Sequence, residues 1–119
     1  MSPASTDLST ALSSVCTTRS DTESCLSYGK DWLKDYQPAP LCICFPRSVE
    51  EVQSVVRLCH QARHPIVPSG GRTGLAGGAT ASDGEVVVSL EKMNRIIAVD
   101  VAERTIRAEA GVTTEALQM

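Results

Sequence analysis

Five of the chain's eight glycines fall within nine positions, in the stretch Pro68-Ser69-Gly70-Gly71-Arg72-Thr73-Gly74-Leu75-Ala76-Gly77-Gly78-Ala79. So dense a run forms neither helix nor strand, because each glycine gives up more backbone entropy on folding than any other residue. The stretch is a loop, and it divides the chain in two. Keeping five glycines there implies that the backbone visits positive φ repeatedly or passes very close to something. A diphosphate is a natural guest. Successive backbone N–H groups in a tight loop make a concave donor nest for anions, and the missing side chains leave room for phosphate oxygens. The hydroxyls of Ser69 and Thr73 can add hydrogen bonds, and Arg72 can add charge or point to solvent. The spacing excludes two common loops. A phosphate loop of Walker type ends in Gly-Lys-Ser/Thr, and none follows Gly77 or Gly78. The dinucleotide fingerprint G-x-G-x-x-G is absent, since Gly70 and Gly71 are adjacent. A flexible surface loop that binds nothing remains the competing reading. The loop's place after a short strand and its paired glycines at both ends favour anion binding.

The sequence around the loop supplies the scaffold. Residues 41–45 are an apolar run read as a buried strand, stopped by Pro46. Ser48-Val49-Glu50-Glu51 is a capping box, with Ser48 as N-cap and Glu51 reaching back to the Ser48 amide. Val49, Val52, Val55, Val56, Cys59 and Ala62 mark one face of a helix of about four turns, bounded by Pro65. Residues 66–68 form a short strand, so strand, helix and strand suggest a right-handed βαβ unit with parallel strands. Beyond the loop, Asp83-Gly84 signals a turn, and strands are expected at 85–90, 96–100 and 105–110. Glu103-Arg104 turns between the last two. Ile106, Ala108 and Ala110 alternate with Arg107 and Glu109, the pattern of a half-buried strand. Gly111 breaks it, and Thr113 or Thr114 caps a helix through Ala116 and Leu117. One helical turn cannot support itself, so the chain is expected to be truncated relative to a larger protein.

Residues 1–40 read as a helical lead-in and residues 41–119 as the main domain. Leu8, Leu12, Val15 and Cys16 have helical spacing, with Ser5 or Thr6 as cap. A second helical turn falls at 21–26, and an irregular stretch closes with Pro38 and Pro40. Aromatics are only 3 % of the chain, so the core rests on Val, Ile, Leu and Ala. The formal net charge of −3 argues against a nucleic-acid partner. No apolar run approaches the roughly eighteen residues needed to span a bilayer. The first residues lack a basic start followed by an apolar block, so no secretory signal is expected. The five cysteines, Cys16, Cys25, Cys42, Cys44 and Cys59, are odd in number and form no CxxC pair. Neither a disulfide framework nor a thiolate zinc site is expected. Cys42 and Cys44 would share one face of a strand as small hydrophobes. This reading places the chain in a reducing compartment, the cytoplasm. His60 and His64 have helical spacing but no third ligand, so no metal site is assigned.

The glycine loop also carries a resemblance. It closely resembles that of the FAD-linked oxidases sharing the vanillyl-alcohol-oxidase type of flavin domain. More narrowly, it is similar to the branch of D-lactate dehydrogenase, the glycolate oxidase large subunit and D-2-hydroxyglutarate dehydrogenase. Tyr28-Gly29-Lys30-Asp31-Trp32 resembles the family's entry segment, and Phe45-Pro46-Arg47-Ser48-Val49-Glu50-Glu51-Val52 its strand-to-helix junction. Residues 86–90 with Met93-Asn94-Arg95-Ile96, and Ala110-Gly111-Val112, are similar to later segments. The resemblance covers about residues 26–119. It implies an α+β fold, the N-terminal half of such a flavin domain, with a small βαβ sheet followed by further strands. It implies FAD as cofactor, its pyrophosphate held by backbone amides of Ser69, Gly70, Gly71, Arg72, Thr73 and Gly74, with Gly77, Gly78 and Ala79 assisting and Pro68 setting the loop entry. The implied parent oxidises a D-2-hydroxy acid (D-lactate, glycolate or D-2-hydroxyglutarate) by hydride transfer to the flavin, passing electrons to an unidentified acceptor. Catalytic residues are expected beyond Met119, so the chain alone is expected to be inactive. A non-catalytic flavin or nucleotide-binding module and an inactive fragment are the alternatives. Tyr28, Asp31 and Trp32 are expected to pack the entry segment onto the sheet.

Overall fold

The structure is a computed structural model that describes residues 3–29, 38–71 and 80–118. Its order is α1 (Pro3–Ser13), β1 (Thr17–Arg19), α2 (Thr22–Tyr28), β2 (Cys42–Phe45), α3 (Val49–Gln61), β3 (Ile66–Ser69), β4 (Val86–Ser89), β5 (Ile96–Asp100), β6 (Thr105–Ala108) and α4 (Thr114–Leu117). Two sheets form, one of four strands in the order β1-β2-β4-β3 and one of two, β5-β6.

In the four-stranded sheet β2 and β3 both run parallel to β4, and β1 runs antiparallel to β2. The strands flanking α3 are therefore parallel, as the sequence suggests, but they are not neighbours: β4 lies between them. The residues explain the order. Val86, Val87 and Val88 are buried on both faces, and a strand apolar on both faces belongs in the interior of a sheet. β3 carries Pro68, which cannot donate to a ladder and suits an edge.

Side-chain alternation divides the core between the sheet's two faces. Cys42, Cys44, Val86 and Val88 meet Leu8 and Leu12 of α1 and Val55 and Cys59 of α3. On the other face Ile43, Phe45, Val67, Val87 and Ala81 cluster, with Cys25 and Tyr28 packed against them. Helices thus cover both faces, and α1 and β1 join the same sheet and core as the later elements.

Several local expectations are corrected. α1 begins at Pro3, so Ser5 and Thr6 lie within it, and it ends before Val15 and Cys16. Proline is well suited to a first helical position, where its missing N–H costs nothing. β1 is unanticipated, because Thr17-Thr18-Arg19 shows no apolar alternation. At the start of α3 the Ser48 hydroxyl accepts from the Glu51 amide at 3.2 Å. The Glu51 carboxylate meets the Ser48 hydroxyl at 3.5 Å, in place of the expected contact with the Ser48 amide. Val55 and Cys59 form the buried stripe of α3, whereas Val49 and Val56 are exposed. β6 is not half-buried: Thr105, Ile106 and Arg107 are exposed. The β5-β6 ribbon shows Val99 at 62 % and Val101 at 84 % exposure.

Asp21, not expected as a cap, caps α2. The Asp21 carboxylate accepts from the Ser24 amide at 2.9 Å, and that bond holds the carboxyl below its usual range. Arg95 and Glu109 bridge the start of β5 and the end of β6 at 2.9 Å. The guanidinium holds the Glu109 carboxyl below the ordinary range, and the Arg95 pKa rises in turn.

Gly111 fixes the ribbon to the sheet. Its amide donates to the Met93 carbonyl at 2.8 Å, and a Cβ at this position would run into the carbonyl oxygen of Leu90. Backbone atoms cannot swing aside as a side chain can. Gly111→Ala is therefore expected to lower folding stability by about 2 kcal/mol, a typical overpacking cost, in urea unfolding followed by circular dichroism. A variant as stable as the parent would show that this contact is not tight.

Candidate functional site

Because β2, β4 and β3 are parallel, all three end on one edge of the sheet. There the chain leaves as Phe45-Pro46, Ser89-Leu90 and Ser69-Gly70-Gly71. In open sheets with helices on both faces, the carboxyl ends of parallel strands are where ligands bind. Ser69 and Ser89 are register partners at this edge. Both are buried at 1 % exposure, two polar residues ending otherwise apolar strands. The Leu90 amide donates to the Ser69 carbonyl at 3.1 Å. The Ser69 hydroxyl oxygen is buried and has no hydrogen-bond partner among the described residues. A buried polar atom left unpaired costs about 1–3 kcal/mol, so this oxygen marks a place where a partner belongs.

Gly70 and Gly71 follow directly and are exposed. A Cβ on either would meet no atom within 4 Å. Neither has positive φ, Gly84 being the one such glycine among the described residues. Packing and backbone conformation thus explain neither glycine.

The loop's return stem is anchored. Ala81 is fully buried; its amide donates to the Gly29 carbonyl at 2.8 Å, and its carbonyl accepts from the Ala39 amide at 2.7 Å. The loop therefore spans two fixed posts, the end of β3 and the Thr80-Ala81 step. Of the ten residues the sequence assigns to the cofactor, the structure brings Pro68, Ser69, Gly70 and Gly71 together. Arg72, Thr73, Gly74, Gly77, Gly78 and Ala79 lie outside the described residues, as do Asp31 and Trp32.

Beside the same edge lies a pocket of about 200 Å³, lined in part by Arg19, Tyr28, Phe45, Arg47 and Lys92. The Arg19 guanidinium stands 6.0 Å from the centre of the Phe45 ring. Three exposed cations therefore flank the strand ends in a chain whose formal net charge is −3. Sequence reasoning passed over them. Arg47 and Lys92 could have been found by their positions just after β2 and β4; Arg19 depends on β1, which left no signal. Tyr28 packs edge-on against Phe45 with ring centres 5.1 Å apart, and its hydroxyl donates to the Glu91 carboxylate at 2.8 Å. It fastens α2 to the sheet, as expected.

His64 Nε2 lies 2.7 Å from the Gly84 carbonyl oxygen, and among the described residues no three His, Cys, Asp or Glu side chains are arranged to hold an ion. No helix among these residues is long and apolar enough to cross a membrane.

The geometry fits an anionic, nucleotide-like group, and comparison with known proteins agrees. Residues 40–119 match the family described as FAD binding domain. The chain is 48 % identical over 98 residues to D-2-hydroxyglutarate dehydrogenase of Stutzerimonas stutzeri (strain A1501), covering 82 % of this chain and 21 % of that protein. It is 49 % identical over 90 residues to the D-2-hydroxyglutarate dehydrogenase of Xanthomonas citri pv. viticola, covering 76 % and 19 %. The chain thus spans about one fifth of the length of these relatives. Among solved structures, p-cresol methylhydroxylase with substrate bound superposes with a TM-score of 0.85 at 23 % identity, over 99 % of this chain and 24 % of that one. This last likeness establishes the fold. Fold and sequence agree, and the chain belongs to the FAD binding domain family.

Proposed function

We propose that this chain is the FAD-gripping part of a flavin-dependent oxidoreductase that oxidises a D-2-hydroxy acid. One observation carries the proposal at the level of atoms: the buried Ser69 hydroxyl, without a partner among the described residues, followed by two exposed glycines with open space at their Cβ positions, at the carboxyl edge of three parallel strands. In this reading the loop 68–79 surrounds the pyrophosphate of FAD. Ser69 and the amides of Gly70 and Gly71 would donate to its oxygens. Arg72, Thr73, Gly74, Gly77, Gly78 and Ala79 complete the set, and Pro68 sets the entry angle. The cations Arg19, Arg47 and Lys92 favour an anion at this edge. FAD, when bound, supplies the two-electron acceptor, and the protein's share is to hold and orient it.

The substrate class rests on the two relatives named as D-2-hydroxyglutarate dehydrogenases, which makes D-2-hydroxyglutarate the first substrate to test, before D-lactate and glycolate. No catalytic residue is assigned among the described residues. Residues 41–119 would be the flavin-binding unit and residues 1–40 its lead-in. A reducing, cytoplasmic setting is consistent with five free thiols.

Two experiments test this reading. Ser69→Ala removes an oxygen that lacks a partner in the flavin-free chain. Folding stability without flavin is then expected to stay level or rise by about 1 kcal/mol, while FAD affinity falls roughly tenfold, the equivalent of one hydrogen bond to a charged group. Gly71→Val should leave the fold intact and abolish FAD retention. Undiminished flavin content in both variants would sink the loop assignment. The activity is tested in a protein containing this chain and the remaining length of its relatives. D-2-hydroxyglutarate should bleach its flavin absorbance without oxygen, and the L-enantiomer should not. Bleaching by neither D-2-hydroxyglutarate, D-lactate nor glycolate would remove the substrate class and leave FAD binding standing.

A further inference from the structure

The helix-covered face that holds α1 and α3 contains a thiol cluster with no part in flavin binding. Cys42 and Cys44 project from β2 into this face and are fully buried. Cys16 sits at the bend between α1 and β1, partly exposed and packed against the same cluster. The ladder shows why they meet. Thr18 is the register partner of Cys44, and the first β1-β2 pair is Thr17 with Phe45. Cys16 stands two residues before Thr18, so alternation returns it to the face of Cys44, as a diagonal neighbour. The Cys16 thiol donates to the Leu12 carbonyl at 3.8 Å, and the Cys44 thiol has those of Cys16 and Cys42 as neighbours within this cluster. Cys16 also reaches solvent: it lines an open groove with Ser13, Ser14, Thr18 and Glu51. Lying just outside the ladder, its backbone can shift without breaking a strand pairing.

We propose that Cys16 is a site of reversible oxidation by hydroperoxides, resolved by Cys44 into a Cys16–Cys44 disulfide. The Cys16 thiolate attacks the peroxide O–O bond. An S–O bond forms, the O–O bond breaks, and water (or an alcohol, from an organic hydroperoxide) leaves; sulfur is oxidised by two electrons as the peroxide is reduced. The Cys44 sulfur then attacks the Cys16 sulfur. An S–S bond forms, the S–O bond breaks, and the Cys44 proton leaves with the hydroxyl as water. The bond would tie the α1-β1 bend to β2.

The five thiols differ in the ways this selectivity needs. The neighbouring Cys44 thiol draws the Cys16 thiol below its ordinary range, against partial burial and the nearby Glu51 charge. Cys42 is lowered by the same neighbour, but it is fully buried and out of reach of an oxidant. Burial and the Asp21 charge raise Cys25. Burial pushes Cys59 up to about 11. Cys44 is raised by the neighbouring Cys16 and Cys42 thiols and by burial, so it waits protonated. Thiolate character and access together decide which cysteine oxidises.

The test is equimolar hydrogen peroxide on the full chain, followed by mass mapping. The expected product has lost the mass of two hydrogens, contains a Cys16–Cys44 linked peptide, and reverts with dithiothreitol. Cys16 should react at least about tenfold faster than Cys25. Cys16→Ser, at a partly exposed position, should keep the circular dichroism spectrum and lose the reaction. Cys44→Ala should trap Cys16 as a sulfenic acid that dimedone captures; if that core variant does not fold, the map of the unmodified chain decides alone. First oxidation at Cys25 or Cys59, a link to Cys42, or equal rates at Cys16 and Cys25 would overturn the proposal.

Discussion

The parallel pairing of β4 with β2 on one side and β3 on the other is the constraint on which the rest depends. Val86 is the register partner of both Cys42 and Ile66, and Val88 of both Cys44 and Pro68. These pairings leave Val86, Val87 and Val88 with neighbours in the sheet and side chains buried above and below it. Apolar area removed from water is worth about 25 cal/mol per Å², and a strand buried on both faces gains it twice. Remove β4 and α1 and α3 lose their floor, while α2 loses the face that Tyr28 grips.

The same pairing builds the site. β3 ends at the carboxyl edge of the sheet, so the glycine loop starts there with Gly70 and Gly71. The polar ends of β3 and β4 then acquire meaning. Ser69 and Ser89 interrupt apolar runs at positions a core would fill with valine, and the Ser69 hydroxyl has no partner among the described residues. A scaffold optimised for stability alone would not retain it. The chain on either side of residues 72–79 is held by β3 and by the Ala81 clamp to Gly29 and Ala39.

Much of this was legible in the sequence, for physical reasons. Proline and glycine mark backbone limits that hold in any context, so β2, β3 and the hairpin at β5-β6 emerge close to their observed bounds. Ser48 and Thr113 cap their helices because their side chains reach amides only three residues away. What stayed hidden is what depends on distant partners. β1 is held by β2 and not by its own polar residues. The insertion of β4 between β2 and β3 is a choice among parallel orders that local pattern does not register. Val49 and Val56 share a nominal face with Val55 and Cys59, yet the helix is seated so that Leu58 completes the contact instead. The alternation in β6 likewise marks a potential face, and nothing among the described residues covers it. In the site, glycine density located the loop, whereas the cations beside it became visible only once Arg19, Arg47 and Lys92 met at the strand ends.

The central claim is that backbone amides at the end of β3 hold the FAD pyrophosphate. The most direct test is a nitrogen–proton correlation spectrum of the isotope-labelled chain, titrated with FAD and separately with riboflavin, which lacks the diphosphate. The account requires the amide signals of Ser69, Gly70 and Gly71 to shift with FAD and to stay in place with riboflavin. Signals unmoved by FAD at these three residues, or moved equally by riboflavin, would contradict it.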